Sequence, residues 1–319
     1  MLRKIRAALE DSLPFAVAGT SHVVHLARHP ALYARYRRSL AAAACALRGK
    51  RVLVLGNGPS LREMLEALAE HAKTSANGLS FWSVNNFVLT PEFERLKPND
   101  HLLLDPTYWQ PEVNVQFAGI PDKVREVLKR ATWPIRIWIP MEAAKTPEWR
   151  RFEKEAPETI SIIYASTREY SAHYPGANWL YARSWLCPRL QNVVGGAVFY
   201  AIRAGVREIG VAGADHSWTR DLFVGDDNLV RYCDRPFNAP DAKAKLWPKL
   251  DGKGYNTLGE VLGFLSKTLC CHEHIQSFAV SQGCKIANLT PGSFIDAYPR
   301  ETLLAWLRSS SPTAQPVRT

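Results

Sequence analysis

The chain has 319 residues, of which 46% are hydrophobic and ten are Trp, so it can bury a full core and is not a disordered protein. It contains no apolar run of about eighteen residues, which argues against a membrane-spanning helix, and its amino terminus does not resemble a secretory signal. The formal charge of +10 predicts an anionic partner, and six scattered cysteines in a protein of this size indicate reduced thiols and a cytoplasmic location.

Residues 1–49 are predicted to form a basic helical extension, with helical stretches at Met1–Leu13 and Ala31–Leu47. Residues 1–50 contain two acidic residues and nine basic ones: Arg3, Lys4, Arg6, Arg28, Arg35, Arg37, Arg38, Arg48 and Lys50. Such an arm either lies on an anionic membrane surface or packs on the main domain with its basic face in water, and both interpretations stand. No nucleic-acid-binding motif accompanies the charge, so nucleic acid is not an expected partner.

The clearest local pattern is the sequence RVLVLGNGPSL at Arg51–Leu61. Its first half predicts a buried strand, and an amphipathic helix is predicted from Leu61 to about Ala72. Gly56 and Gly58 permit unusual backbone angles and let main-chain amides approach a ligand. Because the following helix start favours an anion, the turn predicts either a phosphate site or a purely structural turn. The pattern is neither the dinucleotide-binding fingerprint, which has a third glycine, nor a P-loop.

The chain after this turn alternates short strands with helices. Strands are predicted at Leu79–Val84, His101–Leu104, Ile135–Ile139, Ile160–Tyr164, Arg207–Ala212 and Lys285–Leu289, and helices at Lys123–Ala131, Ala197–Ala204 and Leu258–Gln282. This alternation predicts an α/β fold over residues 50–308, a Rossmann-like and mainly parallel sheet with helices on both faces. Ligands of such sheets bind at the carboxyl ends of the strands, where Asn57, Asn85 and Asp105 stand.

A second polar cluster, Gly213–Trp218, follows the predicted strand Arg207–Ala212. Asp215 can accept hydrogen bonds from sugar hydroxyls, and His216 can move a proton near neutral pH. A capped turn with a satisfied histidine is the structural alternative. Upstream, residues 166–189 are rich in aromatic side chains without clear periodicity, which predicts an irregular insertion that covers a pocket.

The last third of the chain predicts a lid, a long helix and a tail. Residues 219–256 are polar and contain several prolines, as is typical of a lid. Within it, Asp226 and Asp227 either hold a divalent metal or form an exposed acidic turn, and the turn is preferred. The run Cys270-Cys271-His272-Glu273-His274 lacks the spacing of a zinc site and is interpreted as helix, so no metal site is expected. Residues 309–319 are expected to be a disordered tail.

Four motifs in this order carry a resemblance to known families: GNGPSL, SVNNF with Asn85, Asp105-Pro106, and REIGVAGAD ending at Asp215. Together they resemble the bacterial CMP-sialic acid-dependent sialyltransferases of lipooligosaccharide synthesis. They are also similar to the motility-associated flagellin glycosyltransferases and the archaeal 6-hydroxymethylpterin diphosphokinases. The resemblance covers roughly residues 50–300 and implies an inverting, metal-independent transfer on one Rossmann-like domain with a lid, without a cofactor beyond the CMP-sugar donor.

The resemblance also implies roles for individual residues. Implied donor-binding residues are Gly56, Asn57, Gly58, Ser60, Asn85, Asp105, Gly195, Gly213 and Asp215. Of these, Asp105 stands where the family has asparagine, Gly195 lies in a segment that replaces a Thr-Ser-Gly motif, and Gly213 and Asp215 would hold the cytidine ribose. The family's leaving-group tyrosines are not in place, although Tyr232 or Tyr255 of the lid can substitute. The implied base is a histidine, for which His216, His272 and His274 compete.

These observations predict a cytoplasmic glycosyltransferase, peripheral on the inner membrane, that uses a CMP-activated nonulosonic acid in surface polysaccharide or lipopolysaccharide assembly. Its expected partners are the nucleotide-sugar donor, a glycan or glycolipid acceptor and, through residues 1–50, an anionic membrane surface; self-association is compatible with the sequence. One alternative is a diphosphokinase that needs ATP and Mg²⁺. The other is a non-catalytic protein of polysaccharide assembly.

Overall fold

The computed structural model describes residues 27–74, 78–110, 119–174, 176–233, 235–239, 244–249 and 253–309. The strands in chain order are β1 Arg51–Leu55, β2 Leu79–Val84, β3 Asp100–Leu102, β4 Ile135–Pro140, β5 Ile160–Ala165, β6 Glu208–Ala212, β7 Phe223–Val224, β8 Val230–Cys233, β9 Ala244–Leu246 and β10 Lys285–Asn288. Seven of them form one parallel sheet in the order β10-β6-β1-β2-β3-β4-β5. The predicted α/β, Rossmann-like class is confirmed.

The sheet is flanked by helices. They are α1 Pro30–Ala46, α2 Leu61–Thr74, α3 Pro91–Leu96, α4 Ile120–Lys129, α5 Pro147–Glu155, α6 Ala177–Arg183, α7 Val193–Arg203, α8 Leu258–Ser281 and α9 Leu303–Arg308. The predicted helices at α1, α2, α4, α7 and α8 are present with shifts of a few residues at their ends. The prediction of an irregular insertion over residues 166–189 was wrong in part, because α6 lies within it and buries Ala177 and Tyr181 against the core.

The order of the strands creates a crevice between β1 and β6. From β1 the chain adds β2, β3, β4 and β5 on one side, then returns so that β6 pairs with the other side of β1. Leu55 at the end of β1 lies beside Ala212 at the end of β6. Ligands of open parallel sheets bind where the direction of strand addition reverses, outside the carboxyl ends of the strands. This topology therefore predicts the site just beyond Leu55 and Ala212.

Helix α1 packs on the domain. Tyr36 and Ala43 are buried, and α1 contacts the edge strand β5, while Arg37 and Arg38 remain exposed. Residues 30–46 therefore form a helix that packs on the domain through one side and exposes basic side chains on the other. The predicted helix Met1–Leu13 lies outside the described residues. No helix in the described part of the chain is long and apolar enough to cross a membrane.

The predicted lid contains a small antiparallel sheet, in the order β7-β8-β9. Val230 of β8 packs against Val261 and Leu265 at the start of α8, where they form an apolar cluster separate from the main core. This cluster attaches the three-stranded sheet to α8 separately from the main core.

Arg51, at the start of β1, holds the end of the chain. Its side chain is 6% exposed, forms an ion pair with Glu208 at 2.7 Å and lies 3.8 Å above the ring of Trp306. Its guanidinium also donates to the carbonyl oxygens of Trp306 and Ser309. These carbonyls belong to the last turn of α9, which has no further helical donors. Ser309, expected in the disordered tail, is held by this contact; residues 310–319 lie outside the described residues.

We expect Arg51→Met to lower the free energy of unfolding by about 3 kcal/mol, because it leaves Glu208 and two helix-end carbonyls without their donor. The midpoint of urea unfolding measures this change. The matched control is Arg95→Met, which removes an exposed ion pair with Glu66 and should leave the midpoint unchanged. Equal midpoints for both variants would contradict the anchoring role of Arg51.

Candidate functional site

A cavity of about 650 Å³ opens at the crevice between β1 and β6. Its walls come from the turns after β1, β2, β3 and β6, from the start of α7, and from the lid. Of the predicted site residues, the structure brings seven together around it: Asn57, Gly58, Asn85, Asp105, Gly213, Asp215 and His216. These residues are far apart in the chain, and the parallel register of the strands places them at one edge of the sheet.

The glycine turn after β1 is shaped by contact with the turn after β6. A Cβ atom on Gly58 would overlap the Asp215 carboxylate and lie 2.8 Å from the Gly213 carbonyl oxygen, and one on Gly56 would lie 2.8 Å from the Gly213 carbonyl carbon. Neither Gly56 nor Gly58 has a positive φ angle, whereas Gly213 does, at 67°. The glycines at 56 and 58 are therefore needed for close approach and not, as predicted, for unusual backbone angles.

The same contact occupies the amides that were predicted to hold a phosphate. The amide of Gly56 donates to the Ala212 carbonyl, that of Gly58 donates to the Gly213 carbonyl, each at 2.8 Å, and that of Ser60 points to Asp215 at 3.4 Å. An amide that already donates within the protein cannot cradle an anion. These three amides are thus engaged within the protein, which removes most of the donors of the phosphate cradle predicted for this turn.

We expect Gly58→Ala to disrupt both the fold and the cavity, since the added methyl group must push the two turns apart. Overpacking of this kind lowers the free energy of unfolding by about 1–3 kcal/mol. The control is Gly263→Ala within α8, where no atom lies within 4 Å of the new Cβ, and this variant should be as stable as the wild type or slightly more so. Calorimetry measures both, and an unchanged melting temperature for Gly58→Ala would contradict the close contact.

Two asparagines present hydrogen-bond acceptors at the cavity. The side-chain amide of Asn57 donates to the Val84 carbonyl at 3.1 Å, while Asn85 adopts a positive φ of 48° just after β2. Within the described residues, the side-chain oxygens of Asn57 and Asn85 are buried and have no hydrogen-bond partner. Leaving such an oxygen unpaired costs about 1–3 kcal/mol, which a ligand hydroxyl or amine would recover. These oxygens suit the hydroxyl groups of a sugar.

Two carboxylates at the cavity have different environments. Asp215 accepts the Ser60 hydroxyl at 2.8 Å, and burial raises its pKa although the Ser60 hydrogen bonds act in the opposite direction. Ser60 itself lies outside the cavity. Its hydrogen bond orients the Asp215 carboxylate. Asp105 accepts the Thr107 amide at 2.8 Å and caps the short helical turn after β3. A hydrogen bond thus orients each carboxylate, from Ser60 at Asp215 and from Thr107 at Asp105.

His216 is the histidine that lines the cavity. It follows Asp215, has a positive φ of 51°, and its Nε2 lies 3.1 Å from Nε2 of His272. His272 is fully buried within α8, and its Nδ1 lies 2.9 Å from the Tyr298 hydroxyl. Burial lowers the pKa of His216 well below its usual value, with the neighbouring His272 as a second cause, and burial lowers that of His272 to about 4. Both imidazoles are neutral at physiological pH.

The lid supplies positive charge to the cavity. Arg220, Arg235 and Lys245 line it, and all three come from the segment between β6 and α8. Arg235 pairs with Asp221 at 2.9 Å, whereas Arg220 is exposed and its guanidinium lies 5.2 Å from the ring centre of Phe294. The sheet edge thus offers hydrogen-bond acceptors and the lid offers cations. No sequence motif marked these cations, because their positions follow only from how the lid folds.

Several predicted site residues lie outside the cavity. Gly195 packs against Cys271 and Ile275 within the α7–α8 contact, and Gly56 packs against the backbone of Gly213. His274 lies next to His173 on the outer side of α8, with ring centres 4.9 Å apart. The lid residues Tyr232 and Tyr255, and the predicted acidic pair Asp226 and Asp227, also lie outside it, with Asp227 bound by Arg231 at 2.6 and 2.7 Å. The described residues of the segment 166–189 likewise do not line the cavity.

Comparisons of the chain with protein-family models, with curated proteins and with solved structures found no match. The family resemblance therefore remains a matter of the four motifs. The fold and the site define an α/β protein with a parallel Rossmann-like sheet and a polar cavity at the point where strand order reverses. Among the described residues, no cluster of three or more His, Cys, Asp and Glu side chains has the arrangement of a metal site.

Proposed function

We propose that this protein is an inverting glycosyltransferase that uses a CMP-activated nonulosonic acid. The observation that carries the proposal is that Asp215 and the neutral His216 share one cavity with the lid cations. Such a donor has ribose and sugar hydroxyls, a phosphate and a carboxylate. The cavity has complementary groups for these: acceptor oxygens for the hydroxyls, and the lid cations Arg220 and Lys245 for the anionic groups.

The proposed donor lies with its hydroxyls toward the sheet edge and its charges toward the lid. Asp215 accepts from the ribose, as the resemblance implies, and the oxygens of Asn57 and Asn85 accept from further hydroxyls. Arg220 and Lys245 bind the phosphate, in place of the amides of the glycine turn. Because these cations belong to the lid, closing the lid on the donor would complete the site.

In the proposed reaction, the hydroxyl oxygen of the acceptor attacks the anomeric carbon as the bond from that carbon to the phosphate oxygen breaks. The electron pair of the broken bond leaves with CMP, and the proton of the acceptor passes to a base in the cavity. Lid cations stabilise the charge that develops on the departing phosphate. A neutral imidazole at His216 either takes the acceptor proton or donates a hydrogen bond to that phosphate.

The proposed acceptor is a glycan or glycolipid of surface polysaccharide or lipopolysaccharide assembly. Exposed Arg37 and Arg38 on α1 would attract an anionic membrane surface, by about 1 kcal/mol for each basic residue near the lipid. The protein would then work in the cytoplasm as a peripheral protein of the inner membrane.

The proposal is tested by titrating the protein with CMP and with cytidine in the calorimeter. Wild-type protein should bind CMP more tightly than cytidine, since only CMP has a phosphate for the lid cations. Arg220→Ala should lose about tenfold in CMP affinity and nothing in cytidine affinity, as expected for one charge-assisted hydrogen bond. The control Arg231→Ala removes a lid arginine outside the cavity and should change neither affinity. Absence of binding by CMP would refute the proposal.

A further inference from the structure

Three buried side chains form a hydrogen-bonded row that ends at the cavity. The row runs from the Tyr298 hydroxyl to Nδ1 of His272, and from Nε2 of His272 to Nε2 of His216. These residues are 2%, 0% and 7% exposed, and they come from the segment after β10, from α8 and from the turn after β6. A polar row of this kind in a protein interior has to satisfy each of its hydrogen-bond donors.

The hydrogen bonds of the row can run in either of two directions. This is because each neutral imidazole carries one N–H and a single proton lies between the two Nε2 atoms. In the inward direction, His216 donates to His272 and His272 donates to the Tyr298 oxygen. The Tyr298 proton then lacks an acceptor, since the bond to His272 is the only one that the described residues give this hydroxyl. In the outward direction, Tyr298 donates to His272 and His272 donates to His216, so every internal donor is paired.

The outward direction is therefore favoured by about fivefold to 150-fold, since a buried donor left unpaired in the other form costs about 1–3 kcal/mol. In this direction, Nε2 of His216 accepts the hydrogen bond from His272, and the ring proton of His216 is on Nδ1. None of the three side chains gains or loses a proton near neutral pH. Burial holds the pKa of the Tyr298 hydroxyl above its usual range and the pKa values of both histidines below theirs. Cys271 beside His272 is likewise neutral, since burial raises its pKa to about 12.

We propose that His216 presents its Nδ1–H to an anionic group of the ligand, a phosphate, and that His272 and Tyr298 are positioning residues that fix this tautomer. The inference rests on the proposed function only for the identity of the phosphate, which is that of the nucleotide donor. His216 then stabilises the departing phosphate as a preorganised donor, and the proton of the acceptor hydroxyl passes to a cavity carboxylate. The expectation that a histidine serves as the base is replaced by this assignment.

The direct test is a long-range ¹H–¹⁵N correlation spectrum of the histidine rings, with signals assigned from the variants His216→Gln and His272→Gln. The proposal expects a protonated Nδ1 and an unprotonated Nε2 at His216, and the reverse at His272. The Nδ1–H signal of His216 should move when CMP is added and stay in place when cytidine is added. A His216 protonated on Nε2 in the free protein would overturn the proposal, whether or not the protein turns over any CMP-sugar.

Affinity measurements with three variants give a second test. His216→Gln keeps an N–H donor, so its CMP affinity should remain within about threefold of wild type, whereas His216→Ala should lose about tenfold. Tyr298→Phe should weaken CMP binding and yield a mixture of His216 tautomers. The control Tyr181→Phe also removes a buried tyrosine hydrogen bond, the one to the Tyr170 carbonyl, but leaves the tautomer unchanged. Equal losses of CMP affinity for His216→Gln and His216→Ala would contradict the donor role.

Discussion

Replacing His216 by alanine should lower the rate of CMP release from a CMP-activated nonulosonic acid by ~10²–10³, the usual loss when one preorganised donor in an active site is removed. His216 is the member of the three candidate histidines that lines the cavity, and it lies between the acceptor groups of the sheet edge and the cations of the lid. The measurement is CMP release at saturating donor with a glycan acceptor and without added metal. The melting temperature of the variant is compared in parallel.

The matched control for this prediction is His274→Ala. His274 is two residues from His272 on the same helix, and it contacts His173 outside the cavity. This variant should retain the wild-type rate. A rate loss in His274→Ala with full activity in His216→Ala would place the chemistry elsewhere. If neither His216→Ala nor Asp215→Ala changed the rate of CMP release, the result would favour the non-catalytic assembly protein.

A second large effect is expected when the protein is acidified. Burial lowers the pKa of His101 to about 3 and that of His272 to about 4, compared with 6.5 for an ordinary histidine. Below pH 6.5 the unfolded chain binds protons that the folded protein does not, so stability is full above that pH and is lost as the pH falls toward 4 and 3. Each histidine should account for about 2 kcal/mol of lost unfolding free energy at pH 5 relative to pH 7.5.

Urea unfolding at pH 7.5 and pH 5 measures this loss. His272→Gln should reduce the difference between the two pH values by about 2 kcal/mol, because glutamine does not titrate. His173→Gln replaces an exposed histidine and should change the difference by much less than His272→Gln does. If unfolding free energy were the same at both pH values in wild type, the two buried imidazoles would not be neutral in the folded state.

The parallel sheet could be predicted from the sequence because buried parallel strands are short, continuous apolar runs. Val52–Leu55 are fully buried between β2 and β6, and the same type of run marks β2, β4, β5 and β6. Polar residues directly after such runs gather at one edge of the sheet, and Asn57, Asn85 and Asp215 accordingly line one cavity there.

The role of the glycine turn could not be predicted, since it depends on a segment about 155 residues away. A glycine that admits a ligand and a glycine that admits another backbone have the same local sequence. Gly58 faces Asp215 and Gly213, and the sequence around residue 58 carries no signal of either contact.

The histidines could not be separated for a related reason. Residues two apart on a helix point in directions about 160° apart, so His272 and His274 cannot face the same cavity. Which of them faces inward depends on how α8 packs. Tyr298, which completes the buried row, lies in the irregular segment between β10 and α9 and carries no sequence signal.

The most direct test of the central claim is the melting temperature of the purified protein with CMP, CDP, UDP, GDP and ATP, each with Mg²⁺ and with a chelator. A ligand that binds only the folded state raises the melting temperature, by an amount that grows with its concentration relative to its dissociation constant. The proposed function predicts stabilisation by CMP that is the same with the chelator as with Mg²⁺. Stabilisation by ATP only in the presence of Mg²⁺ would contradict it and favour the diphosphokinase, and no response to any nucleotide would contradict it as well.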